Sequence, residues 1–137
     1  MKIAPAEAED AAEVTALWSA CGLTRPWNDP AKDFTFALNS PASAVLVGRD
    51  DLGHVIASVL VGHDGHRGAL YYLGVAPDHQ GKGHGRAIHD AAIDWLKQRS
   101  VWKLNLLVRT ENLKVQAFYE ALGYTQNEVV SLSRKIA

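Results

Sequence analysis

The sequence predicts a mixed α/β (α+β) domain: a mostly antiparallel central sheet with one parallel crossover pair, and helices on both faces. Three observations lead there. Two hairpin signals, Asp50-Asp51-Leu52-Gly53 and His63-Asp64-Gly65-His66, separate β-branched, apolar runs at residues 44–49, 55–61 and 70–75. A glycine-rich loop then joins the third run to an amphipathic helix. Residues 103–109 form a further strand-like run beyond that helix, far enough from residue 75 for a parallel crossover.

The other elements follow in order. Residues 2–4 read as a short strand that Pro5 stops. Val14, Leu17, Trp18 and Cys21 keep the i, i+3, i+4, i+7 spacing, which predicts a helix over 10–21 ended by Gly22. Residues 33–39 read as a short helix. After the glycine loop, Ala87, Ile88, Ala91, Ala92, Trp95 and Leu96 make one apolar stripe that should lie on the sheet. Residues 112–122 predict a third clear helix, packing Leu113, Ala117, Phe118, Ala121 and Leu122 and ending at Gly123; residues 128–136 predict a last strand.

With 137 residues the chain is expected to be one domain, 1–137, with a single core. Its 14 basic and 15 acidic residues leave a net charge of −1, which argues against a nucleic-acid partner, since that needs a basic face. No apolar run approaches the roughly 20 residues that cross a bilayer, and the N-terminus lacks a signal-peptide layout, so a cytoplasmic protein without membrane contact is expected. Cys21 is the only cysteine, which excludes an internal disulfide and a cysteine metal cluster. His84 and His89 are five apart and do not share a helix face, and no metal is expected.

Residues 70–86 carry the clearest chemistry. Gly81, Gly83 and Gly85 allow left-handed backbone angles and lead into a helix N-terminus, while Lys82 and Arg86 add two cations. This is an anion cradle suited to phosphate or pyrophosphate. It is not a Walker A loop, because Lys82 is followed by Gly83 rather than Ser or Thr. It fits a dinucleotide fingerprint poorly, because Ile88 stands where Gly or Ala is needed.

The pattern Gln80-x-x-Gly83-x-Gly85, with a strand before it and a helix after it, resembles the acyl-CoA-binding motif of the GNAT N-acetyltransferase superfamily. The element order resembles that family along essentially the whole chain. The segment from Arg25 to Pro30, the short helix after it and the turn from His63 to Arg67 look like the small bacterial YpeA-like branch. The resemblance implies acetyl-CoA as cosubstrate. It implies that the loop of Gln80, Gly81, Lys82, Gly83, His84, Gly85 and Arg86 holds the pyrophosphate, and that Leu73, Gly74 and Val75 pair with the pantetheine arm. A second match, Asn112 to Tyr124, implies that Asn112 bonds the CoA arm and that Tyr119 lies by the sulfur, returning a proton to the thiolate or orienting the thioester. A phenol suits that role because its reference pKa is about 10.

A primary amine must lose a proton before attacking a thioester. Where histone-type members of the family carry a glutamate, this chain has Ala69. Substitutes are Asp29 or Asp33, His63 or His66, or a water chain past Tyr71 or Tyr72, while Asp64 serves the turn. Backbone N–H groups near Leu73 to Val75, at a strand irregularity eased by Gly74, can stabilise the oxyanion. Arg25, Trp27, Asn28 and Asp29 leave two readings open. They form a rigid turn with Trp27 in the core and Asp29 or Asn28 capping the next helix, or they line the acceptor pocket together with Tyr72. The expected activity is direct transfer of acetyl to a small-molecule or amino-acid-like amine. The alternatives are a protein N-terminal acetyltransferase and a non-catalytic acyl-CoA sensor. A homodimer can form by sheet pairing if the last strand is an exposed edge.

Overall fold

Both hairpins form, and each is closed by its own aspartate. Asp50 Oδ1 accepts from the N–H groups of Leu52 and His54, at 3.0 and 2.9 Å. Asp64 Oδ1 accepts from those of His66 and Arg67, at 2.8 and 2.7 Å. The bonds from His54 and Arg67 do most to hold the two carboxyls below the usual carboxylate range. In this computed structural model, which describes residues 1–137, the chain divides into two units, Met1–Asn105 and Leu106–Ala137.

The first unit holds a five-stranded sheet in chain order: β1 (Lys2–Pro5), β2 (Ser43–Arg49), β3 (Val55–His63), β4 (Gly68–Val75) and β5 (Leu104–Asn105). The first four strands pair antiparallel and β5 pairs parallel to β4. Pro5 does not stop β1. It stands opposite Leu46 in the ladder, which is tolerated because β1 is an edge strand with one side free of pairing.

Three helices cover this sheet. α1 (Ala11–Ala20) ends as expected at Gly22, whose φ is +68°. α2 (Pro30–Leu38) starts three residues earlier than the sequence predicts, with a proline in its first turn and Asp29 as its cap. Val14, Leu17 and Trp18 of α1 and Phe34 and Ala37 of α2 join Val45, Val47 and Val55 in one core cluster. Residues directly opposite one another in a ladder share a face, which places Leu46 with Val59, and Val61 with Leu70, on the other side. That side receives α3 (His84–Lys97), which buries Ile88, His89, Ala92, Trp95 and Leu96. Gly68 lies two residues before Leu70, and a Cβ there would stand 2.8 Å from Leu96 Cδ1.

Two expected strands are cut back. The run 103–109 pairs only at Leu104 and Asn105, and 128–136 forms no strand. Alternating apolar residues are a local signal, whereas a strand exists only where a neighbour takes up its backbone bonds. Val129, Val130, Leu132 and Ile136 are accordingly exposed. In the second unit α4 (Leu113–Ala121) forms, but Leu113, Ala117 and Ala121 are exposed and the buried residue is Tyr119. A single nine-residue helix has no sheet of its own unit on which to bury an apolar stripe.

Trp18 is fully buried and donates from Nε1 to Ser58 Oγ at 2.8 Å. Ser58→Ala leaves that buried indole N–H unpaired and should lower unfolding stability by about 1–3 kcal/mol. Urea unfolding checks this, and a variant as stable as the wild type would show that the bond carries no net weight.

Candidate active site

The glycine loop leaves β4 and enters α3 through two left-handed residues, Gly81 with φ +75° and Gly83 with φ +84°. A Cβ at either position would meet nothing within 4 Å, so the requirement is conformational rather than steric. Gly85, expected to share this role, lies inside α3 and has no positive φ. Gly83 is the cap of α3 and supplies no side-chain oxygen, and no acidic residue stands in the first turn. The first N–H groups of the helix, those of His84, Gly85 and Arg86, therefore have no capping side chain to bond. Lys82 and Arg86 are both exposed there, Arg86 with its Nε 3.9 Å from Asp90 on the next turn. The side chain of Gln80 donates from Nε2 to the carbonyl of Val75 at 3.1 Å, tying the loop back to the end of β4. These features fit a bound diphosphate: open amides, positive charge and no carboxylate in the first turn of α3.

β4 is the other half of the arrangement. It pairs with β5 only at Gly68 and Ala69, and beyond them Leu70, Tyr71, Gly74 and Val75 pair on the β3 side alone. Its register to β3 slips by one residue: Leu60 faces Tyr71 and Ser58 faces Gly74, so Tyr72 and Leu73 together oppose Val59. This is the expected irregularity, yet the residue with a left-handed backbone is Tyr72, at φ +52°, and not Gly74. Gly74 is needed for packing instead, since a Cβ there would stand 2.9 Å from Leu23 Cδ1 and 3.0 Å from Cys21 Sγ.

The bulge also changes which backbone groups face outward. Gly68 donates its N–H to Lys103 on the β5 side, whereas Ala76, an even number of residues later, donates to Ile56 on the β3 side. Strand residues alternate with period two, so one reversal has occurred, at the bulge. Beyond it Leu73 and Val75 turn their backbone groups to the unpaired edge. The Val75 carbonyl accordingly accepts from Gln80 and, at 3.3 Å, from the Cys21 thiol. Burial pushes that thiol up, away from nucleophilic use, in keeping with a small apolar residue at the end of a helix.

Among the candidate bases, His63 accepts from the Gly65 N–H on Nδ1 and so braces the turn with its ring, whereas His66 joins the turn only through its backbone N–H, which donates to Asp64, and its side chain is exposed. Asp29 accepts from the Lys32 N–H as the α2 cap. Asp33 is placed differently. Its Oδ2 accepts from the Tyr72 hydroxyl at 2.7 Å, and the Tyr72 ring stacks on Trp18 at 3.9 Å and 8°. Burial and the Asp33 carboxylate raise the Tyr72 phenol well above the ordinary tyrosine value, so it stays a donor. No sequence spacing links residues 33 and 72, and only the packing of α2 beside the bulge joins them.

The Arg25 to Pro30 segment divides its roles. Arg25 donates from Nη1 to the carbonyls of Gly22 and Thr24, each at 2.9 Å, and so holds its own loop. Asn28 is exposed, and Trp27 is 67% exposed rather than tucked into the core. In the second unit Asn112 is the cap of α4, accepting from the Val115 N–H at 3.2 Å, and so stands just ahead of the helix. This bond uses the side-chain oxygen and leaves the Asn112 amide NH2 to other partners. Tyr119 lies edge-on to Phe118 at 5.1 Å and to Tyr124 at 5.3 Å. Burial, with Tyr124 beside it, pushes its phenol up to about 12.

Comparison with known proteins follows the same lines. The acetyltransferase (GNAT) family model matches residues 11–124. An acetyltransferase of Yersinia pestis (strain Pestoides F) is 39% identical over 136 residues, covering 99% of this chain and 96% of that protein. Acetyltransferase SG1711 of Sodalis glossinidius is 42% identical over 127 residues, covering 93% and 89%. Among solved structures, the aminoglycoside 6'-N-acetyltransferase AAC(6')-IG of Acinetobacter haemolyticus superposes with a TM-score of 0.82 at 21% identity over the whole of both chains, a likeness of fold. AAC(6')-Iy, solved with a bisubstrate analogue built on CoA, superposes at 0.83 with 18% identity over 99% of this chain and 98% of its own. With the family model spanning β2 to β5, the glycine loop and α4, this chain belongs to the GNAT acetyltransferase family.

Proposed function

We propose that this acetyltransferase passes acetyl from acetyl-CoA directly to the primary amine of a small-molecule or amino-acid-like acceptor. The observation that carries the reading is the pairing of an uncapped α3 N-terminus, reached through Gly81 and Gly83, with the one-sided edge of β4 at Leu73 and Val75. Acetyl-CoA supplies the acyl group as a thioester. The amides of residues 81–86, with Lys82 and Arg86, hold its diphosphate, and the Leu73 and Val75 backbone bonds its pantetheine arm. The N–H of Leu73 lies at the bulge, where it can stabilise the negative charge developing on the thioester oxygen. Tyr119 returns a proton to the departing thiolate, and the Asn112 amide bonds the CoA arm.

The acceptor class draws support from related proteins. AAC(6')-Iy is solved with a bisubstrate analogue that joins CoA to an acetylneamine. A ribosomal-protein-alanine N-acetyltransferase of Brucella melitensis superposes at a TM-score of 0.76 with 24% identity, covering 98% of this chain and 99% of its own, and it keeps a protein N-terminus as the second reading. The exposed Trp27, Asn28 and Asp29 belong to the acceptor side in either case. Thiol release from acetyl-CoA, assayed against a panel of small amines and N-terminal peptides, decides between them. Thermal stabilisation by acetyl-CoA with no acceptor-dependent thiol would instead identify an acyl-CoA sensor.

Gly83→Val forces a β-branched residue into a left-handed angle at the cradle. It should abolish CoA binding in calorimetry while far-UV circular dichroism stays native; unchanged affinity would remove the loop from the diphosphate site. Tyr119→Phe should lower kcat by about 10²-fold with CoA affinity nearly intact, within the range for a general acid. The phenol donates only below its pKa, and that pKa is raised to about 12. The wild-type kcat should therefore show no alkaline fall from about pH 8 to about pH 10, whereas an unshifted tyrosine acid would begin to fail near about pH 9 and be about half lost by about pH 10.

A further inference from the structure

Tyr72 occupies a backbone conformation that glycine adopts freely and a bulky residue does not, at φ +52° in the bulge of β4. Such a residue persists only when its surroundings over-determine it. Three elements do so here. Trp18 of α1 stacks on the ring at 3.9 Å. Asp33 of α2 accepts from the hydroxyl at 2.7 Å. Ser58 of β3, itself accepting from Trp18 Nε1, donates from its hydroxyl to the Tyr72 carbonyl at 3.4 Å. The next residue is Leu73, whose N–H faces the unpaired edge of β4. A glycine would make the same bulge without registering it to α1 and α2, whereas the tyrosine ties the direction of that N–H to both helices.

We propose that Asp33 and Tyr72 are positioning residues for acetyl transfer: the phenol held by Asp33 locks the bulge that aims the Leu73 N–H at the thioester oxygen. This rests on the acetyl-transfer reading given above. Asp33 acts through Tyr72 and carries no proton in the reaction. That separates it from a general base, although it is the only candidate base bonded to a β4 side chain. Asparagine distinguishes the two roles, because its side-chain oxygen still accepts from the Tyr72 hydroxyl while its amide cannot take a proton from an amine.

The experiment compares Tyr72→Phe, Asp33→Ala, Asp33→Asn and the Tyr72→Phe/Asp33→Ala pair with the wild type. Tyr72→Phe keeps the stack on Trp18 and loses only the hydroxyl. It and Asp33→Ala should each lower kcat about tenfold, the scale expected of a slightly displaced donor, with KM for acetyl-CoA within about twofold of wild type. The double variant should be no worse than either single one, since both cut the same link. Asp33→Asn should stay within about threefold of wild-type kcat. Amide hydrogen exchange, read on the protein without substrate, should quicken at Gly74 and Ala76, the amides that face β3 just beyond the bulge, in Tyr72→Phe and Asp33→Ala but not in Asp33→Asn. Asp33→Asn as inactive as Asp33→Ala, Tyr72→Phe with wild-type kcat, or exchange unchanged in all variants would each overturn the proposal. A wild type that releases no thiol with any amine would defeat the acetyl-transfer reading on its own, and the exchange rates would still decide whether the Asp33 bond locks the bulge.

Discussion

A strand that must pair along one edge and remain available along the other is a physical contradiction that β4 resolves with a bulge. Unpaired strand edges invite unwanted pairing, and proteins keep them short, twisted or covered. Here β5 meets β4 at only two residues, and the reversal at the bulge turns the backbone groups of Leu73 and Val75 outward while Gly74 between them stays paired with Ser58. The left-handed tyrosine at the turn costs on the order of 1–3 kcal/mol by itself. The stack on Trp18, the bond to Asp33 and the contact with Ser58 oppose that strain. The core and the candidate site therefore share residues, because Trp18 belongs to both.

The glycine loop follows the same logic in another part of the chain. An aspartate or serine at position 83 would cap α3 well, but it would bond the amides assigned to the proposed diphosphate, and aspartate would also repel an anion there. Glycine leaves those groups open and accepts the left-handed angle. The helix tolerates a weak cap because its apolar face, with Ile88, Ala92, Trp95 and Leu96, is buried on the sheet. Both halves of the arrangement thus consist of backbone groups outside the regular helix and ladder bonding, although the Val75 carbonyl is taken up by Gln80 and Cys21, which is why so few of the chain's side chains announce a chemistry.

This dependence on backbone explains which parts could be read in advance. Glycine punctuation, the Asp-Gly turns and the i, i+3, i+4 stripe of α1 report local preferences, and the elements they mark are where the sequence places them. The Gln80 to Arg86 motif was legible for the same reason, since left-handed glycines before a helix have few other uses. The last strand, the length of β5 and the buried face of α4 were misread because each depends on what lies alongside. Val130 and Leu132 alternate like a strand, but no neighbour takes up their backbone bonds. Trp27 reads equally well as a core residue or an exposed one until its packing is known.

The sequence by itself determined the order of elements as far as α4, the left-handed glycine turn that enters α3 and membership of an acyltransferase family, because these rest on short-range spacing and on residue types with few alternatives. Tertiary structure alone decided that Tyr72 rather than Gly74 carries the bulge, that Leu73 and Val75 face the open edge, and that Asp33 is bonded to a residue 39 positions away. Those outcomes are set by one extra residue in a ladder and by the seating of α1 and α2 on the sheet. Neither leaves a periodic trace along the chain.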